Sequence, residues 1–172
     1  MSVNQTRESR SLDHLIDQAI DQYAYEPVTT LSLNDAMTLG RLAHEQAHQI
    51  GVAIVFSMLD SMGYQRYFFS MDNALLVSHQ LAYRKAWSAV ALKMPTHELA
   101  SLCQPGQSLY GLLNHPDICC VGGGLPCWHK GQLLGAIGIS GGSVEQDMSV
   151  ASNTLFKFSQ SRYLLTSSPL AV

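Results

Sequence analysis

Val52-Ala53-Ile54-Val55-Phe56-Ser57-Met58-Leu59, then Ser61-Met62-Gly63-Tyr64, then Gln65 to Ser70, carries the clearest architectural signal in the chain. A largely apolar run rich in β-branched residues, a turn containing glycine and a returning run predict a β-hairpin. Helical patterns flank it on both sides. Upstream, Ser32-Leu33-Asn34-Asp35 has the capping-box form with Asp in place of Glu and opens a helix expected to reach about Gln49, where Gly51 stops it. Downstream, Leu76, Ala82, Ala86, Ala89 and Val90 recur near helical spacing and predict a helix from about Leu75 to Leu92, ended by Pro95.

The C-terminal half is punctuated by glycine. Thr96-His97-Glu98-Leu99 begins a short helical segment, and Gln104-Pro105-Gly106-Gln107 is a turn. Ile118 to Val121 and Leu133 to Ser140 read as strands, separated by Gly122-Gly123-Gly124-Leu125-Pro126 and by a His129-Lys130-Gly131-Gln132 turn. Ser143-Val144-Glu145-Gln146 is a second capping box, opening a last helix expected to run to about Ser161, and residues 166–172 read as a loose tail. Helices bracketing hairpin-linked strands predict an α+β layered domain with a mainly antiparallel sheet.

The first thirty residues form an appendage to that domain. Leu12, Leu15, Ile16, Ala19, Ile20 and Tyr23 follow one helical face, opposite Asp13, His14, Asp17 and Asp21, and a linker Glu26 to Thr30 follows. Such a helix docks either on its own domain or in a groove of another protein. The chain is 172 residues long, 47 % hydrophobic and 13 % charged, with a net charge of −3. That size suits one main core over 31–172, and the scarcity of charge points to a partner that covers some apolar surface. No basic block offers a nucleic-acid footprint, and no stretch has the length of a membrane span or the apolar core of a secretory signal. The expected location is cytoplasmic, with Cys103, Cys119, Cys120 and Cys127 reduced.

Among local motifs, His44-Glu45-Gln46-Ala47-His48 matches HExxH, with both imidazoles on one helical face. A zinc protease of the longer pattern needs a histidine where Ile54 stands, and nothing in the sequence brings Glu98 or Glu145 to the pair. What remains is a histidine pair able to ligate a metal or an iron porphyrin, or simply two surface histidines. Gly141 and Gly142 precede a helix start, where bare N–H groups suit a carboxylate or phosphate; glycines packing a strand against a helix give the same pattern. No nucleophile elbow is present, and Cys103 near His97 is a weak case for a thiolate pair.

Taken in order, several blocks resemble the GlcG/HbpS/PduO C-terminal family over residues 31 to about 156. They are Leu59-Asp60-Ser61-Met62-Gly63, Ser70-Met71-Asp72-Asn73-Ala74, Lys85-Ala86-Trp87-Ser88-Ala89, Met94-Pro95-Thr96-His97-Glu98-Leu99, Gln104 to Gly111, Gly122 to Pro126 and Gly135 to Asp147. Ser61-Met62-Gly63-Tyr64 departs from the glycine-rich first hairpin of many relatives, and the loop Leu113 to Asp117 is shorter than the common form. The resemblance implies a profilin-like domain, with an antiparallel sheet of about five strands covered by helices, that assembles into oligomers.

It also implies haem as cofactor, with a corrinoid as the alternative, and a supporting role beside cobalamin-dependent diol or glycerol catabolism. The adenosyltransferase domain's ATP-binding sequence is absent, so adenosyl transfer is not expected of these residues. Within this frame His44 is the leading iron ligand, ahead of His48, because it lies deeper in the helix; His79 and His97 are reserves. Met37 or Leu33, with aromatic residues of a neighbouring subunit, would give the macrocycle apolar cover. Gly141 and Gly142 stay as a second binding element. Residues 11 to 23 with their linker look like the targeting segment of bacterial microcompartment cargo, which implies a shell or enzyme partner and a shell lumen. Two other readings stand beside this one: a small-metabolite enzyme using Lys85, Asp72 and Glu145 near Gly141-Gly142, and an assembly module without ligand.

Overall fold

The computed structural model describes His14 and residues 31–166, with backbone alone for 162–166. The helix expected over residues 11–23, apart from His14, and the linker to Thr30 lie outside the described residues, as does the tail from 167. In chain order the elements are α1 (Leu33–Gln49), β1 (Val55–Asp60), β2 (Gln65–Ser70), α2 (Leu76–Leu92), α3 (Thr96–Leu102), a 3-10 turn (Tyr110–Asn114), β3 (Gly124–His129), β4 (Gln132–Ser140) and α4 (Val144–Thr166). The fold is α+β, as expected, and the strands lie in the order β2-β1-β4-β3 with every pair antiparallel.

Both capping boxes form. The Ser32 hydroxyl accepts from the Asp35 N–H at 3.1 Å while the Asp35 carboxylate accepts from the Ser32 N–H at 2.9 Å. Ser143 and Gln146 reciprocate in the same way at the start of α4. Local chemistry thus marks where these two helices start. The turn between β3 and β4 puts Lys130 and Gly131 both at positive φ, the backbone a two-residue hairpin requires.

The sheet has four strands among the described residues, not about five, and the strand expected at Ile118–Val121 does not form. Ile118 and Cys119 are buried, but the Cys119 N–H donates to Ser88 Oγ of α2 at 2.8 Å instead of to a neighbouring strand. A Cβ on Gly122 would lie 2.6 Å from the Met148 sulfur, so the segment is pressed between helices until pairing begins at Gly124.

One sheet face presents Phe56, Met58, Ile137 and Ile139 to α1 and α4, which contribute Leu39, Ala43, Val150 and Phe158. The other presents Leu59 and Ala136 to Ala86, Ala89 and Val90 of α2. Alternation along β1 and β4 puts successive side chains on opposite faces and feeds both layers. Gly138 sets the separation of the second layer, because a Cβ there would lie 2.0 Å from the Ala82 carbonyl oxygen.

The two edges of the sheet differ. The Ile139 N–H donates to the Gly123 carbonyl at 2.9 Å, so in this register the backbone groups of Gly124 and Pro126 point away from β4. The Gly124 N–H is taken by Thr96 Oγ1 at 2.9 Å, and Pro126 has no N–H to offer. At the opposite edge, no strand pairs with the outer side of β2 among the described residues.

Candidate functional site

The outer side of α1 and the adjoining face of β2 enclose a groove of about 470 Å³, within the range of small-molecule sites. Met37, Gly40, Arg41 and His44 reach it from α1 because they follow one another at helical spacing, on the flank of the buried stripe Ala36, Leu39, Ala43 and Ala47. Tyr67 and Phe69 reach it from β2 because residues two apart share a sheet face. This aromatic wall is fixed to the core. Phe69 stacks on Phe56 with centroids 5.4 Å apart, and Tyr67 meets Phe56 edge-on at 6.2 Å. A Cβ on Gly40 would fall 2.4 Å from Tyr67 Cε1, so the bare glycine is what allows the phenol ring to lie against the helix.

His44 is exposed and meets Phe69 edge-on at 6.2 Å. His48 is exposed too, with its ring 6.2 Å from that of His44, but it does not line the groove. Met37, 52 % exposed, lines the groove with His44, whereas Leu33 does not. His79 lies elsewhere, bonded to Ser70 Oγ and beside Phe68, and His97 is on α3. Among the described residues no group of three or more His, Cys, Asp or Glu is arranged to hold a metal ion.

The second candidate region has a different character. Lys85 is 1 % exposed and donates to Asp147 Oδ2 at 2.7 Å and to the Ile139 carbonyl at 2.9 Å. Asp147 Oδ1 in turn accepts from the Gly142 N–H at 2.9 Å, so that donor is satisfied within the protein. A Cβ on Gly141 would lie 2.2 Å from the Ala53 carbonyl oxygen, which makes this glycine a packing residue. Asp72 is exposed in the turn after β2. Glu145 is exposed as well, and bonds from its own N–H and the Ser143 hydroxyl hold its carboxyl below the usual range. Lys85, Asp72 and Glu145 are not brought together.

The cysteines are free. Burial pushes the Cys127 thiol up to about 12 and also raises Cys119, so neither forms a ready thiolate. Cys120 is pushed up to about 12 by burial and by Cys103 beside it.

Arg41, Gly40, Tyr67 and Phe69 escape sequence reasoning, since the groove exists only once β2 lies along α1. The available signals were the helical spacing of Arg41 to His44 and the two-residue spacing of the aromatics.

A family model described as "Haem degrading protein HbpS-like" matches residues 31–155. The chain belongs to the HbpS-like family. The crystal structure of a PduOC:heme complex is 46 % identical, with a TM-score of 0.72 over 74 % of this chain and 94 % of that one. The corrinoid adenosyltransferase PduO of Citrobacter freundii is 47 % identical over 132 residues, 76 % of this chain and 39 % of that protein. An uncharacterized 15.0 kDa protein of the dhaT-dhaS intergenic region of the same organism is 38 % identical over 137 residues, 78 % of this chain and 96 % of its own length. The HbpS-like chain thus spans about two fifths of the named adenosyltransferase. No helix among the described residues is long and apolar enough to cross a membrane.

Proposed function

We propose that the protein binds haem in the groove between α1 and β2, with His44 as the axial ligand to iron. The observation that carries this reading is the exposed His44 imidazole set against Phe69 in a groove walled by Met37 and Tyr67. The residues fit the group: an imidazole is a good axial donor, and a flat apolar macrocycle needs aromatic and thioether cover. The haem complex of the 46 % identical relative supports the choice of ligand. A corrinoid is the second reading, favoured by the name of the adenosyltransferase relative. In either case the role is auxiliary, beside cobalamin-dependent diol or glycerol catabolism, in a homo-oligomer whose neighbouring subunit covers the open side of the groove.

Haemin titrated into wild type is expected to give a Soret band that saturates near one haem per chain. His44→Ala should lose it and His48→Ala should keep it. A wild-type spectrum identical to free haemin, or one response from all three proteins, overturns the assignment.

Residues 1–30 form a separate segment in this proposal. Its amphipathic helix over 11–23 directs the 31–172 domain to the lumen of a bacterial microcompartment. Deleting residues 1 to 27 is expected to abolish co-purification with shells while preserving the domain's melting transition. Unchanged co-purification sinks the targeting role.

A further inference from the structure

We propose that Arg41 makes the groove selective for a planar macrocycle bearing carboxylates, and that Glu45 is the internal carboxylate such a ligand displaces. The inference rests on the haem reading and names the chemical class of its ligand. Arg41 lies three residues before His44 on α1 and lines the same groove. Its guanidinium donates through Nη1 to Glu45 Oε1, four residues on, and Glu45 is not part of the groove wall. The cation therefore stands on the rim with its tether on the outer side.

Three features make this arrangement a selector. The pair is open to solvent, with side chains 62 % and 44 % exposed, and exposed pairs at this helical spacing are weak and easily exchanged. A guanidinium carries five N–H donors in a planar fork that matches a carboxylate with two parallel bonds, and no second acceptor for Arg41 is found among the described residues. Among the described residues Arg41 is also the single Lys or Arg of the groove wall, whose other large side chains are Met37, His44, Tyr67 and Phe69. Arg66, on the same strand as the aromatics, is bound to Asp60. The apolar wall accepts any flat macrocycle of suitable size, so discrimination by charge falls to Arg41. A porphyrin with free propionates offers the guanidinium a carboxylate, whereas an esterified porphyrin or an amide-fringed corrinoid offers neutral groups.

The test is equilibrium titration of the full chain with haemin and with haemin dimethyl ester in the same solvent, for wild type, Arg41→Gln, Glu45→Gln and His44→Ala. Wild type is expected to bind haemin about tenfold more tightly than the ester, an advantage that shrinks as salt is raised. Arg41→Gln should bind both alike with the affinity of wild type for the ester, which also demonstrates that the variant is folded. Glu45→Gln should bind haemin more tightly than wild type and the ester unchanged. Equal affinity of wild type for both porphyrins, or a preference that survives Arg41→Gln, overturns the selector while a His44-dependent Soret band leaves the haem site standing. Failure of wild type to bind either porphyrin overturns both.

Discussion

Asp147→Ala is expected to lower the melting temperature by about 10 °C or more, a larger effect than any substitution on the surface of the groove. The Lys85 and Asp147 side chains are 1 % and 4 % exposed, and their bond of 2.7 Å joins α2 to α4 beneath the glycine-rich turn. Removing the carboxylate strands an ammonium where water cannot reach it, and breaking such a pair costs about 3–5 kcal/mol. In a domain of this size each kcal/mol moves the transition by about 3–5 °C. The Gly142 N–H loses its acceptor in the same substitution. Replacing both partners by apolar residues, Lys85→Met with Asp147→Leu, removes the stranded charge and should restore part of the loss. Thermal unfolding followed by circular dichroism decides: a single variant melting within about 2 °C of wild type, or a double variant worse than the single, would falsify the account.

Gly138→Ala is expected to be equally severe for a steric reason. The added methyl would sit 2.0 Å from the Ala82 carbonyl oxygen and 2.7 Å from the Ala86 nitrogen, both backbone atoms of α2. No rotamer relieves a clash between Cβ and backbone, so the helix must lift from the sheet and uncover Leu59 and Ala136. A loss of about 3 kcal/mol or more is expected from such overpacking. Gly111→Ala is the control, since nothing lies within 4 Å of its Cβ position, and it should stay within about 0.5 kcal/mol of wild type. Urea midpoints of the two variants make the comparison, and a Gly138 variant as stable as the Gly111 control contradicts the close approach.

The parts legible in the sequence were those with local causes. Ser32 and Asp35 start α1 through bonds spanning three residues, and the run Gln65 to Ser70 forms the returning strand of its hairpin because a short turn fixes its partner. Ile118 to Val121 has strand-like composition, yet Ser88, distant in sequence, claims the Cys119 N–H. Gly142 looked like an anion cradle on the same local logic. The structure fills that role with the carboxylate of Asp147 five residues later, a partner that no capping pattern announces. Of the groove, His44 and Met37 were readable from helical spacing, while Arg41, Tyr67 and Phe69 acquire meaning only from the docking of α1 on β2.

The unequal edges of the sheet give assembly a direction. Thr96 and Pro126 leave β3 with little to offer an incoming strand, whereas among the described residues no strand takes up the outer backbone groups of β2. A ribbon that can be extended from one side alone cannot polymerise by strand addition. Union of two copies through β2 would leave at each outer border the β3 edge blunted by Thr96 and Pro126, an arrangement that closes on itself instead of growing as a fibril.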